Sequence, residues 1–276
     1  MKRKIVQWLS LIVGNAYVPG FLRGRIYNGP LKQFCVPGLN CYSCPGALAS
    51  CPLGALQAVM GSIKYRFSYY VTGLLLMFGL LFGRFICGYL CPFGLVQELL
   101  HKLPGPKIKR PWQWPRYIKY GLLLIFVVGM PLLVVNPFGM GDPAFCKYIC
   151  PAGTLEAGLP LIVLNPPLRT ALGALFTWKV TLALAIVAGC LIIYRFFCRY
   201  LCPLGAIYGL CNRISLYQLR CHKERCVDCG LCKNACRLDV DPAHRPASGE
   251  CIRCGECAVV CPHKALSMGF SYFTPQ

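Results

Sequence analysis

Acidic residues are scarce in this chain. Nine Asp and Glu stand against 29 Lys and Arg, and charged residues of either sign make up only 14% of the 276 positions. A soluble globular domain carries about a quarter, so most of this chain does not read as soluble. Histidine is rarer still, with His101, His222, His244 and His263 the full set. None lies inside a long apolar run, where a haem b held between membrane helices needs its ligands, so no haem is expected. No G-x-G-x-x-G or Walker-type loop occurs, which removes a dinucleotide site. The formal charge of +20 raises nucleic acid as a partner. The basic residues flank apolar segments instead of forming one stripe, which suits membrane orientation, and no nucleic-acid partner is expected.

What the chain has in abundance is cysteine, 21 copies. Near the C-terminus they read Cys226-x2-Cys229-x2-Cys232-x3-Cys236, then Cys251-x2-Cys254-x2-Cys257-x3-Cys261-Pro262. This is the spacing of a bacterial two-cluster ferredoxin. Three thiolates at two-residue gaps wrap one corner of a four-iron cubane, and the fourth lies too far along the chain to close the same cluster. The expected ligand sets are Cys226, Cys229, Cys232 and Cys261 for one [4Fe-4S] cluster, and Cys251, Cys254, Cys257 and Cys236 for another. Zinc also accepts paired C-x2-C thiolates, but two tandem runs of four with a terminal Cys-Pro favour iron–sulfur. Arg237, not proline, follows Cys236, a departure that touches the local turn and not the ligand. Anionic clusters would offset part of the basic charge. Free thiols in such number point to a reducing compartment or an anaerobe.

Hydrophobic residues make up 56% of the chain. The runs 68–86, 117–135 and 171–197 are each near or above the ~20 residues that span a bilayer, and none shows the polar face of an amphipathic helix. The run 5–22 is weaker, interrupted by Gln7, Asn15 and Pro19-Gly20. With no small-residue cleavage site after it, it reads as an uncleaved anchor and not a signal peptide. The expected fold is mainly α and membrane-integral. Residues 1–216 would hold about four transmembrane helices with re-entrant half-helices, and 217–276 an α+β ferredoxin-like domain.

A phrase repeats within the apolar part. Arg84-Phe85-Ile86-Cys87-Gly88-Tyr89-Leu90-Cys91-Pro92-Phe93-Gly94 recurs as Arg195-Phe196-Phe197-Cys198-Arg199-Tyr200-Leu201-Cys202-Pro203-Leu204-Gly205. A third copy runs from Cys146 to Cys150-Pro151-Ala152-Gly153, and a reduced fourth is Cys51-Pro52-Leu53-Gly54. Cysteines four apart share one face of a helical turn, so both sulfurs can reach one cluster. Proline in the first turn of the following helix loses no hydrogen bond, and the free N–H groups and positive end of that helix then face the anionic cluster. Buried structural cysteine is the plainer alternative, against which three copies of C-x3-C-P-h-G (h apolar) weigh heavily. Arg84 and Arg195 stand at matched places before the ligands. Either they snorkel to the interface or they offset cluster charge and raise its potential. The stretches 92–100, 151–164 and 203–219 are too short or too interrupted to cross and read as re-entrant or interfacial helices. The Pro- and Lys-rich 105–116 reads as a turn.

With Lys2, Arg3 and Lys4 on one side, four crossings put 84–119 and the ferredoxin run on that same side, and 23–67 and 136–170 opposite. Fourteen basic residues then face seven, which makes the N-terminus and the ferredoxin run cytoplasmic. Cys87, Cys91, Cys198 and Cys202 share that side and are expected to hold one cluster across a pseudo-two-fold. Cys35, Cys41, Cys44, Cys51, Cys146 and Cys150 share the other, six thiols for a further cluster. Cys35, Cys41, Cys44 and Cys51 are an equally complete set alone. That makes about four clusters, with Cys190, Cys211 and Cys221 expected to stay unligated. Asp142 and Glu156, the acids of the far side, read as loop residues ahead of handlers of quinol protons.

Over roughly residues 65–265, the motifs at Cys87/Cys91, at Cys198/Cys202 and in the ferredoxin run resemble those of the NapH/NosR-type membrane polyferredoxins. The resemblance implies a multi-pass cell-membrane protein, a subunit of a larger complex. Members of that family pass electrons between the membrane quinone pool and extracytoplasmic reductases, or supply electrons to their maturation. For this chain the expected donor is a ferredoxin or flavoprotein and the expected acceptor quinone or an extracytoplasmic redox protein. The extra cysteines at 35–51 and 146–150, and the lack of a NosR-like flavin domain, depart from the family pattern. On this reading the chain relays electrons and has no catalytic site of its own; a quinol dehydrogenase, or a cluster-bearing redox sensor or maturation factor, is the alternative.

Overall fold

A computed structural model describes residues 2–62, 68–136 and 140–270. Lys64 and Arg66, counted above among the basic residues of the far side, lie outside the described residues, as do 271–276 of the expected C-terminal domain.

The protein is mostly helical, as apolar runs must be where no water is present to satisfy the backbone. Trp114–Leu133 and Ala174–Ile192 are the two described helices long and apolar enough to cross a membrane, and only 17% of each apolar window is buried. Leu124, Ile125, Leu133, Trp178 and Leu184 point outward, whereas the core helix of a soluble protein would hide them. The other two expected spans are interrupted. The run 68–86 forms Tyr69–Phe82 and then stops at Gly83, whose φ of 53° and ψ of −136° suit no other residue. The run 5–22 forms Lys2–Gly14 and, after a turn, Val18–Arg23. At the end of Ala174–Ile192, Ile193 is extended and Arg195 reverses the chain at φ 52°.

Two helices widen into π-helical turns, Leu123–Gly129 and Gly153–Gly158. Each leads into a proline, Pro131 and Pro160, whose ring would otherwise clash with the carbonyl four residues back.

The C-x3-C-P copies fold alike. A five-residue helix carries the first cysteine in Phe85–Tyr89, Ala144–Tyr148 and Phe196–Tyr200. The cysteine before proline is extended, as Pro Cδ demands, and the proline opens Pro52–Gly61, Pro92–Leu100 and Pro203–Cys211. Contrary to the helical reading of 203–219, the chain turns after Cys211 into a strand, Tyr217–Cys221. It pairs antiparallel with Leu266–Phe270, Tyr217 opposite Phe270, and the short helices Leu231–Ala235 and Glu256–Val259 lie between them. The main core packs Leu53, Phe93, Phe197, Leu204 and Tyr208 around Cys51, Cys87, Cys91, Cys150, Cys198 and Cys202. A smaller one gathers Leu219, Cys257 and Leu266 under the strands.

Candidate metal centres

Cys87, Cys91, Cys198 and Cys202 meet in the main core, all buried. Cys202 lies within electrostatic reach of the other three thiols, and Cys91 of Cys87 and Cys198. The motif glycine aims its amide at the sulfur three residues back. Gly205 N–H donates to Cys202 Sγ at 3.4 Å, and the same contact joins Gly94 to Cys91, Gly54 to Cys51 and Gly153 to Cys150. The unpaired amides of each helix start therefore face a sulfur.

Arg84 and Arg195 do not snorkel: they are 1% and 0% exposed. Each crosses to the opposite copy. Arg84 Nη2 donates to the Cys198 carbonyl at 3.1 Å and Arg195 Nη1 to the Cys87 carbonyl at 2.6 Å. The motif glycines give them room, since a Cβ on Gly205 would stand 3.3 Å from Arg84 and one on Gly94 3.2 Å from Arg195. Buried cations need counter-charges. Arg195 has Glu98, at 2.6 Å from Nη2, which Arg3 also binds at 2.9 Å. Arg84 has Glu250 at 2.8 Å, and Lys119 holds the other oxygen of that carboxylate. Burial pushes the Glu250 carboxyl up, but Arg84 and Lys119 outweigh it and hold it at about 2.

A second group forms from Cys41, Cys51, Cys146 and Cys150. Cys150 and Cys41 are within reach of each other and of Cys51, and Cys146 of Cys51 and Cys41. The remaining two thiols of the expected six flank this group, and Glu156 lies within electrostatic reach of Cys44 as it does of Cys41, Cys51 and Cys150. Cys35 has Cys51 as its thiol neighbour, and Cys44 Sγ turns to Asn15 Oδ1 at 3.7 Å. Glu156 is not a free loop residue, because its carboxylate accepts the Cys41 N–H at 2.9 Å. Asp142 pairs with Lys147 at 2.5 Å.

Between the strands the cysteines divide in two. Cys226, Cys229, Cys232 and Cys261 line a cavity of about 210 Å³; Cys236, Cys251, Cys254 and Cys257 line another. The two loops repeat each other's backbone. Left-handed residues recur as Asp228 and Arg253, Gly230 and Gly255, Asp239 and Lys264. The amides of Val240 and Ala265 donate to Cys236 and Cys261 Sγ at 3.4 and 3.3 Å. Left-handed non-glycine residues are costly and persist where the surroundings impose them. Cys221, expected to have no partner, lines the first cavity as well, brought there by strand pairing that cysteine spacing does not express.

The groups are joined in a row. A Cβ on Gly88, between Cys87 and Cys91, would stand 2.5 Å from the Ile252 carbonyl, next to Cys251. Arg253 ties this contact down, donating to the carbonyls of Phe82 at 2.8 Å and Asn212 at 2.7 Å. Asn212 Nδ2 in turn donates to the Ser248 and Cys251 carbonyls at 2.6 and 3.0 Å. On the other side Tyr208, fully buried, lies within electrostatic reach of Cys87, Cys91 and Cys51, and its hydroxyl donates to the Pro37 carbonyl at 2.8 Å.

Among the described residues, no three Cys, His, Asp or Glu converge as the ligands of a single ion. Groups of four thiols supply the ligand count of a four-iron cubane. The buried cations fit an anionic occupant too. Arg84 lies within electrostatic reach of Cys87 and Cys198, and Arg195 of Cys198 and Cys91, whereas the buried Arg199 faces Asp239 at 3.9 Å.

One family, described as a 4Fe-4S binding domain, matches three times, over 67–111, 122–160 and 175–219. Each match spans one C-x3-C-P copy. A second family of the same description matches 248–267. An uncharacterised protein of Methanocaldococcus jannaschii is 30% identical over 70% of this chain and 66% of its own length. NirI of Paracoccus denitrificans is 33% identical over 66% of this chain, and regulatory protein NosR of Pseudomonas aeruginosa 31% over 64%. The matched stretches cover only 26% of NirI and 24% of NosR. No solved structure matches.

Proposed function

The chain belongs to the NapH/NosR-type membrane polyferredoxins, and from that premise we propose that it is an electron wire across a membrane. Two [4Fe-4S] clusters lie on 217–276, held by Cys226, Cys229, Cys232 and Cys261 and by Cys236, Cys251, Cys254 and Cys257. A third lies on Cys87, Cys91, Cys198 and Cys202, and a fourth on Cys41, Cys51, Cys146 and Cys150. Residues 1–216 cross the bilayer about four times, with the N-terminus and the ferredoxin-like domain in the cytoplasm. A ferredoxin or flavoprotein donates at the cytoplasmic end. Quinone or an extracytoplasmic redox protein accepts at the other, within a larger complex.

The observation that carries this reading is the row of thiol groups, with Ile252 against Gly88 at one joint and Tyr208 at the other. A hydrocarbon layer about 30 Å thick is too wide for one electron step, and helices that start at Cys-Pro inside the protein bring the centres inward from both faces. The clusters, when bound, supply one-electron chemistry. The chain's own residues hold the thiolates, offset their charge with Arg84 and Arg195, and keep water out with Phe93, Phe197 and Tyr208. Anaerobically purified protein should carry about sixteen iron and sixteen sulfide, all reducible by a donor to the C-terminal clusters. About eight iron at full occupancy would leave the membrane cysteines without clusters and overturn the wire.

A further inference from the structure

Gln57 and Gln97 each stand six residues after the cysteine of a Cys-Pro, and their amides share three bonds, to which Gln97 Oε1 adds a contact from Cys190 Sγ at 3.7 Å. Both side chains are 0% exposed. Each Nε2 donates to the carbonyl four residues back in its own helix, Leu53 and Phe93, at 3.3 Å. Each Nε2 also reaches the first cysteine of the opposing copy, Gln57 to Cys146 Sγ at 3.1 Å and Gln97 to Cys198 Sγ at 2.9 Å. Each Oε1 accepts a backbone N–H from that opposing turn, Phe145 at 2.9 Å and Cys198 at 3.3 Å. The accepted N–H fixes the amide's orientation, because the flipped amide would set donor against donor and oxygen against sulfur. Packing alone does not explain a glutamine here. A buried amide is tolerated when fully bonded, and an apolar side chain would carry no such requirement.

We propose that Gln97 and Gln57 are positioning residues that set the reduction potentials of the two membrane clusters, one glutamine per cluster, each acting through a ligand sulfur of the opposite half. The proposal rests on the cluster assignment above. With a cluster bound, reduction would add one electron from the neighbouring centre without changing a covalent bond, and the cysteine sulfurs held by these amides would share the added charge. An N–H aimed at a sulfur favours that more negative state, and does so more strongly in a site without water. The other two helices carry Glu156 and Tyr208 at the sixth position, so each cluster receives this donor from one half only.

The test is a potentiometric titration of the purified full chain, following each cluster's EPR signal. Gln97→Leu should make reduction about tenfold less favourable, 59 mV for a one-electron couple, at the signal that Cys202→Ala abolishes, and leave the others in place. Gln57→Leu should do the same only at the signal that Cys146→Ala abolishes. Should a leucine variant lose iron, the unbranched Gln→Met at the same position is titrated instead. Potentials within twofold of native in iron-replete variants at both positions would overturn the proposal and leave the glutamines as packing. Absence of the two membrane signals from the native protein would instead overturn the cluster assignment on which it rests.

Discussion

Glu250 joins the C-terminal segment to the central cysteines, and its charge is worth testing by itself. Its carboxylate lies 2.8 Å from Arg84 Nη1 and binds Lys119 through the other oxygen. Arg84 is 1% exposed and Lys119 0%. Glu250→Gln keeps the shape and leaves two buried cations facing a neutral amide. Removing one partner of a buried pair costs about 3–5 kcal/mol, against roughly 0–1 kcal/mol for a surface pair. At 1.36 kcal/mol per tenfold, the opening of 248–253 away from Arg84 and Asn212 should become roughly two to four orders of magnitude more frequent. Hydrogen exchange reads this at the Arg84 amide, which donates to Asn212 Oδ1 at 3.1 Å, and at the Cys251 amide, which donates to the Ser248 carbonyl at 3.0 Å. Adding Lys119→Met removes one orphaned cation, so it should cost less in the Glu250→Gln background than alone. The pH dependence follows from the depressed carboxyl, about 2 in the fold against an ordinary 4.5. Its contribution is complete above pH ~4.5 and is lost as the pH falls toward 2. Exchange at both amides within threefold of native would refute the reasoning and reduce the bridge to a surface pair.

Two sets of cysteine variants separate the membrane centres. Cys91→Ala and Cys202→Ala should abolish one and the same EPR signal and spare the ferredoxin signals; the loss of two different signals would mean a separate cluster on each copy. Cys41→Ala and Cys51→Ala should abolish the signal that Cys146→Ala abolishes, and Cys35→Ala and Cys44→Ala should retain it. The reverse pattern would mean that Cys35, Cys41, Cys44 and Cys51 form a set without the third copy.

What was legible in the sequence was local. A cysteine followed by proline dictates an extended residue and then a helix start, and the helices opening at Pro52, Pro92 and Pro203 obey that rule. The near-identity of the copies at 84–94 and 195–205 was enough to pair Cys87 and Cys91 with Cys198 and Cys202, which meet in one core. Helix ends were less legible. The apolar pattern continues past Phe82 and past Ile192, but Gly83 and Arg195 take left-handed conformations that hydropathy does not register. The membership of the far group was not legible either. Cys41 and Cys44 differ by three residues in one loop and spacing ranks them alike; in the fold Cys44 Sγ faces Asn15 Oδ1. The glutamines six residues beyond Cys51 and Cys91 were visible in the repeat, but their function depends on a contact between copies about 90 to 100 residues apart.

The most direct measurement of the wire uses the protein in sealed vesicles, ferredoxin-like domain outermost, with an impermeant electron acceptor trapped inside. A donor added outside should reduce the trapped acceptor, and Cys146→Ala and Cys150→Ala should slow this transfer while the C-terminal clusters still reduce at the native rate. Normal transfer in both variants, or labelling of Cys146 by an impermeant thiol reagent from the donor side, would contradict a path across the membrane and leave a carrier that works on one face.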